Sequence, residues 1–522
     1  MKMTVIQKRV IASIVPTLLC SQASAWWGTY NWGTKPFKVL SEILILLIVF
    51  GVAVPVHAVT VDGIVRTVSP VDSLAAIQGA VDDAQAVGGE VFFTAGTYDF
   101  GSGRLEVRNS GDVTLTADEP DDPLNPATYN VTLTSSGFEV IKVQCRDTTS
   151  NVTVENLSVV GADSAIRHRD ETNKKGGNLF VESCSLQAQS GSSGALHSTD
   201  VGAVSLCVEK CLIRGACEGI LARNNGEWTD FTVKECKVEG VSGEIVLHNW
   251  ERSGIRILVE NNDVEALGES EFNATALFIV GPRANEPEIL NILDNHCLNG
   301  RNVIFSRIAL IAGNVMESEL AQMVLLARFG TSFQITDNTF LFKPTKQNVG
   351  GRNRNAAVIL RESTDTLFED NHVIVAATGD GRTFRDAACL SLISAENTEI
   401  VDNLFEAVEV QIRPAIKSRR NSKDNQFIDN AFTGTFSEAL LGVEMTGSLL
   451  VDNHVENLTP SSGFDFVLEA DSPAVGGAGN TILGNGIENV WDQTDNAATP
   501  AYDGRNTIVD VASIKNVTVP LP

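Results

Sequence analysis

Basic side chains recur a few residues beyond short apolar runs along this 522-residue chain: Arg167 and Arg169, His197, Arg223, His248, Arg307, Arg328, Arg361 and Arg413. Polar and aromatic groups gather around two of them. One segment holds Arg223, Asn224, Glu227 and Trp228; the next holds His248, Asn249, Trp250, Glu251 and Arg252. Six Trp occur in the chain, three of them before Ala58, and two of the other three lie in these segments. An Arg or His here can bind a carboxylate or take the proton α to a uronate carboxyl group, with Ca²⁺ in acidic loops to acidify it, which is lyase chemistry. Glu227 and Glu251 alternatively form the carboxylate pair of a glycosidase. Exposed Trp faces stack on sugar rings; packing within the loops is the plain alternative. The expected catalytic residues are therefore Arg223, His248, Glu227 and Glu251. The expected substrate-binding residues are Arg169, His197, Trp228, Trp250, Arg252, Arg307 and Arg328. No metal ligands are assigned, and Ca²⁺ enters only with the lyase reading.

These residues matter together only if the chain stacks the segments that bear them. A short phrase supplies the stacking. It reads Val154-Glu155-Asn156-Leu157, Val181-Glu182-Ser183-Cys184, Val208-Glu209-Lys210-Cys211, Val233-Lys234-Glu235-Cys236 and Val259-Glu260-Asn261-Asn262, then settles into Asp-Asn or Gly-Asn forms. Its fourth position falls at 157, 184, 211, 236, 262, 295, 314, 338, 371, 403, 430, 453 and 485, with gaps of 19 to 33 residues. Fixed short strands joined by loops of free length give this irregular spacing; a rigid helical repeat does not. Asn at the fourth position suits a bend near the left-handed region. In coils stacked at about 4.8 Å, its amides can form a buried ladder. Cys184, Cys211 and Cys236 would continue that column as thiols, with disulfides the alternative.

A second apolar run follows each phrase after roughly a strand and a turn, as at Ala165-Ile166, Ile220-Leu221 and Val358-Ile359-Leu360. Arg169, Arg223, His248 and Arg307 each lie 12 residues past a fourth position, which predicts a vertical basic stripe. Like charges about 5 Å apart repel, so such a stripe needs interleaved carboxylates or a bound anion. Asp170, Asp200, Glu227 and Glu251 could neutralise it as a surface ladder of weak ion pairs; an acidic polysaccharide could do so instead.

Residues 72–89 read as a capping helix. Asp72 or Ser73 can N-cap it, Leu74, Ile77, Val81 and Ala84 share one face, and Gly88-Gly89 stops it. Glu90-Val91-Phe92-Phe93 and Ala95-Gly96-Thr97-Tyr98 follow as strand. The run Ile77 to Tyr98 resembles the opening segment of the pectate lyase-like (pectin lyase fold) superfamily, and the repeats resemble its coils over roughly residues 70–490. The resemblance implies an all-β, single-stranded, right-handed parallel β-helix with an N-terminal capping helix. Enzymes, phage tailspikes and surface binders share this rod, so it implies no single activity. The family's catalytic motifs do not match: there is no Gly-His-Gly and no Arg-Ile-Lys, and Arg413-Pro414-Ala415-Ile416-Lys417 is only a loose echo of a lyase signature. Asp82-Asp83 and Asp121-Asp122 read as surface.

Two export-like segments precede the repeats. Lys2, Lys8 and Arg9 lead into an apolar run and Ala23-Ser24-Ala25; Lys35 and Lys38 lead into a second run and Val56-His57-Ala58. One is read as a signal, the other as an uncleaved membrane anchor or upstream extension. The expected organisation is export segments over 1–58, cap and opening strand over 59–110, β-helix over 111–490, and a cap or tail over 491–522. A net charge of −26 disfavours nucleic acid as a bulk partner. The expectation is a secreted or cell-surface protein that binds an acidic, uronate-containing polysaccharide and cleaves it by lyase or glycosidase chemistry. The alternative is a non-catalytic glycan-binding or structural surface protein.

Overall fold

The computed structural model describes residues 64–516, apart from residues 110, 146–149, 170–176, 192–193, 200–203, 224–227, 242, 249–255, 268–274, 281–289, 320–322, 344–355, 378–386, 413, 437, 444, 457–464, 470–479, 484–488, 493–505 and 510–512. Both export-like segments lie outside the described residues.

Three parallel sheets of 17, 16 and 14 strands account for nearly all of the described chain. Each coil gives one strand to each sheet in turn. Asn151–Glu155 belongs to the 17-stranded sheet, Ser158–Gly161 to the 14-stranded sheet and Ser164–Arg169 to the 16-stranded sheet. The next coil repeats the order with Asn178–Glu182, Ser185–Ala188 and Leu196–Thr199, paired in register with the first. This is the parallel β-helix that the repeat implies, and right-handed crossovers are what twisted parallel strands impose. Pairing continues to Ser513–Asn516, so the solenoid is roughly 75 Å long at the usual strand spacing.

Alternation in each strand sends Val, Ile, Leu and Phe inward, into one continuous core. Phe340, Phe368, Phe405 and Phe432 stack inside it, with ring centroids 5.3–6.5 Å apart.

The corner between the 17- and 14-stranded sheets divides two jobs that the sequence reading gave to one residue. The left-handed residue is the third of the phrase, not the fourth. Asn156, Ser183, Lys210, Glu235, Asn261, Asp294, Asp337, Asp370, Asp402, Asp429 and Asp452 have φ between 50° and 61°, and Gly313 takes the same place at 68°. The fourth residue points inward instead. Seven side-chain amide bonds of 2.8–3.1 Å join Asn262, Asn295, Asn314, Asn338, Asn371, Asn403, Asn430 and Asn453 in a buried ladder. Asn485 lies outside the described residues. Upstream, Cys184, Cys211 and Cys236 continue the column as free thiols. Backbone N–H groups of Cys184 and Cys211 donate to the next sulfur at 3.4 and 3.5 Å, and that of Cys236 donates to Asn262 Oδ1 at 2.9 Å.

A second polar column fills another corner of the later coils. Thr398 N donates to Asn425 Oδ1, Asn425 N to Ser448 Oγ, Ser448 N to Asn480 Oδ1 and Asn480 N to Asn506 Oδ1, at 3.0–3.2 Å.

Helix α1 (Leu74–Val87) caps the solenoid. The Ser73 hydroxyl accepts from Ala76 N, Gly88 closes the helix at φ 74°, and Ile77, Val81, Ala84 and Gln85 are buried. Gln78 docks it on strand Leu105–Asn109, the first of the 16-stranded sheet. Its amide donates to Glu106 O at 2.7 Å and accepts from Glu106 N at 2.9 Å.

Candidate functional site

The 16-stranded sheet is the one that presents the basic residues outward, because the second apolar run of each coil is its strand. Pairing register defines two files along it. One runs Arg169–Thr199–Arg223–His248–Val280–Phe305–Arg328–Arg361–Ile393–Arg419. The other, two residues earlier in each strand and so on the same face, begins Glu106–Lys142–Arg167–His197–Leu221–Val246.

Arg169, Arg223, His248 and Arg328 therefore share a file, with Arg223 and His248 on adjoining rungs. Arg307 does not share it. The preceding coil spends more residues before its strand, so Phe305 takes the place that a constant offset gives to Arg307. Arg307 sits beyond strand Arg301–Phe305, its Nε donating to Thr331 Oγ1 at 3.3 Å. Val280 and Phe305 also interrupt the file, so the basic residues form two clusters rather than one stripe. Trp228 opens strand Trp228–Lys234 of the 17-stranded sheet, a different sheet from Arg223. Glu227, Trp250, Glu251 and Arg252 lie outside the described residues, as do Asp170, Asp200 and Arg413.

The first cluster surrounds a cavity of about 230 Å³ lined by Arg104, Phe138, Glu139, Lys142, Arg167 and Arg169. Four cationic side chains thus face one carboxylate. Glu139 is buried and accepts from Arg104 Nη1 at 2.5 Å, with Arg167 Nη1 at 3.7 Å. Arg104 also donates to Glu106 Oε1 at 2.9 Å. Arg108, at 2.7 Å from the other Glu106 oxygen, together with Arg104 holds the Glu106 carboxyl below its ordinary range. Phe138, 73% exposed, stands at the rim. The buried Nε of Arg167 and Nδ1 of His197 have no hydrogen-bond partner among the described residues. Burial first, and then the charge of Arg167, pushes the His197 imidazole down to about 4, so it is neutral at neutral pH. Arg223, on the next rung but one from Arg169, is half-exposed and 4.0 Å from Glu218.

The second cluster is built around Arg328. Its Nε and Nη2 reach both Glu362 oxygens at 2.8–3.1 Å, and Arg361 Nε reaches Glu362 Oε1 at 3.1 Å. Burial raises the Glu362 carboxyl, but the bonds and charge of Arg328 outweigh it and leave it below the ordinary range. The guanidinium lies 4.1 Å from the centroid of Phe329.

Sequence reasoning missed Arg104, Phe138, Glu139 and Lys142. A signal was present. Val140-Ile141-Lys142 has the form of Ala165-Ile166-Arg167, and the two strands pair residue for residue. The coils before residue 150 lack the Asn or Cys that marked the later ones, so the search began one coil late.

The pocket does not suit Ca²⁺, since its one carboxylate is already held by two guanidinium groups. Among the described residues, no group of three or more His, Cys, Asp or Glu side chains is placed to hold a metal ion. Among them too, no helix is long and apolar enough to cross a membrane.

Fold and site together define a parallel β-helix protein with a cation-lined cavity on one sheet face. No family model and no curated protein matches the chain. Solved structures do. DFA-IIIase from Arthrobacter chlorophenolicus A6, solved in complex with GF2, is similar over 84% of this chain and 92% of its own, at 11% identity and a TM-score of 0.30. PfbA, a surface adhesin of Streptococcus pneumoniae, is similar over 78% of this chain and 93% of its own, at 12% identity and a TM-score of 0.27.

Proposed function

We propose that this β-helix is an extracytoplasmic protein that binds an acidic, uronate-containing polysaccharide on the outward face of its 16-stranded sheet. The observation that supports this reading is the cavity of Arg104, Lys142, Arg167 and Arg169 around the single carboxylate of Glu139. In a chain of net charge −26, cations gathered this closely repel one another unless an anion joins them. Arg guanidinium groups bind carboxylates in a planar, bidentate way. The cavity is large enough for one sugar ring and opens beside Phe138, an aromatic surface for that ring. Neutral His197 adds an uncharged hydrogen-bonding group next to Arg167, suited to a hydroxyl rather than a second carboxylate.

A titration with oligogalacturonates tests it. Arg167→Ala and Arg169→Ala should each weaken binding about tenfold or more, the worth of a charge-assisted hydrogen bond. Binding should weaken steeply as salt is raised. Unchanged affinity in both variants contradicts the reading.

The adjoining rungs of Arg223 and His248 favour a second reading, in which the same face also cleaves its ligand as a lyase, Arg223 or His248 removing the α proton. Unsaturated product, seen by its ultraviolet absorbance and lost in His248→Ala while binding persists, is the result this reading requires. Reducing ends formed without that absorbance would point to hydrolysis.

A further inference from the structure

Five rungs beyond Arg169 in the same file, aromatic rings replace the cations. Phe278 and Phe305 meet edge to face with centroids 6.3 Å apart, and Phe305 and Phe329 do so at 5.9 Å. All three are half-buried, on the outside of a sheet whose inward residues belong to the core. Phe329 has φ 67°, a left-handed conformation that a bulky aromatic residue rarely adopts. In the same column the next coils place Glu362, Ser394 and Arg420, also left-handed and all polar. Strain kept at such a place points to use rather than to packing, because a polar residue or glycine would fill the corner without it. Arg328 is fixed over Phe329 by its two-pronged bond to Glu362, so a rigid charged hydrogen-bonding pair borders the rings.

From this we infer that Phe278, Phe305 and Phe329, with Arg328 and Glu362, form a second sugar subsite. It takes a pyranose ring of the same glycan by its apolar C–H face, with ring hydroxyls meeting the Arg328–Glu362 pair. Aromatic rings accept such C–H contacts, and a fixed Arg–carboxylate pair offers both donor and acceptor to hydroxyls. The inference rests on the reading that this face binds a polysaccharide. Five rungs separate the subsite from Arg169, about 24 Å at the strand spacing. One chain lying along the sheet reaches both sites only if it is long enough, and its two ends then bind as a linked pair.

Oligogalacturonates of increasing length, titrated against the whole protein, test this. Short oligomers should bind at the cation-lined cavity, and affinity should step up about tenfold or more once the chain spans both sites. Phe305→Leu, which keeps apolar bulk and lies outside the core, should remove the step, leave short-oligomer affinity unchanged and melt as the parent does. Phe305→Tyr should restore the step. A step that survives Phe305→Leu, or no step in the parent while short oligomers bind, overturns the second subsite and leaves the cavity reading intact. If no oligomer of any length binds, both fall.

Discussion

Two histidines show what burial does to a titrating group here. His168 is fully buried, and burial pushes its imidazole down to about 4; its Nδ1 lies 3.0 Å from Ser198 Oγ. His197, on the neighbouring coil, is lowered to the same region. Each folded-state value is below the unfolded one, so the unfolded chain binds more protons between about 6.5 and 4. Their contribution to stability is complete above 6.5 and is lost as pH falls through that window. Urea denaturation across it should show His168→Gln losing less stability on acidification than the parent. Equal pH dependence in the two would contradict the assignment. At the same scale, the Asn ladder makes a sharp demand. Asn338 donates to Ile311 O, Thr336 O and Asn371 Oδ1 and accepts from Asn314, all inside the coil. Asn338→Ala leaves buried partners unsatisfied and should cost about 2–4 kcal/mol in equilibrium unfolding. Asn338→Cys should cost less, because sulfur occupies this column in three earlier coils. Those thiols should stay reduced and silent. Burial, and then bonds with Cys184 and Cys236, push the Cys211 thiol well above its ordinary value. Alkylation of the native protein, mapped by mass spectrometry, should spare Cys184, Cys211 and Cys236 and label them only after unfolding.

At the scale of the element, a strand's place in its coil decides what its side chains can do together. Cap, coils and buried column were legible in the sequence, since each rests on a local rule: Ser73 and Gly88 at the ends of α1, two-residue alternation, and one amide or thiol per rung. Two features were legible only in part. Asn in the phrase drew attention to the fourth position as the bend, yet the third residue bends, and Lys210 and Glu235 show that almost any polar side chain suffices there. Counting 12 residues from the phrase placed Arg307 in the wrong file, because the offset from corner to strand varies with loop length, whereas backbone pairing does not. The Thr398–Asn506 column was invisible because its members, Thr, Asn and Ser, change type from coil to coil. The third position has a consequence of its own. Asp337, Asp370 and Asp402 stack on successive rungs. Burial, then the charges of Asp337 and Asp402, raise the Asp370 carboxyl. A raised folded value means that the native state holds its proton longer, so the repulsion is present at neutral pH and relieved by acid. Asp370→Asn should therefore raise the melting temperature at neutral pH, with the gain shrinking in high salt and vanishing once the carboxyl is protonated. A loss of stability at neutral pH would show that the carboxylate serves the corner in some other way.

For the molecule as a whole, the solenoid makes function a matter of position along a line. Each coil touches only its neighbours, so an outward side chain can change without disturbing the core, while register keeps it aligned with those above and below. The acidic surface elsewhere sharpens the contrast with the cation-lined cavity at the capped end of the 16-stranded sheet. That contrast was missed from sequence because the residues concerned, Arg104 to Arg169, come from three different coils and converge only when stacked. A structure of the protein with a bound oligogalacturonate tests the central claim most directly. The account predicts a uronate carboxylate within hydrogen-bonding distance of Arg167 and Arg169, its ring beside Phe138 and the chain running along the 16-stranded sheet. A glycan seated on the 14- or 17-stranded sheet, with that cavity unfilled, would contradict it.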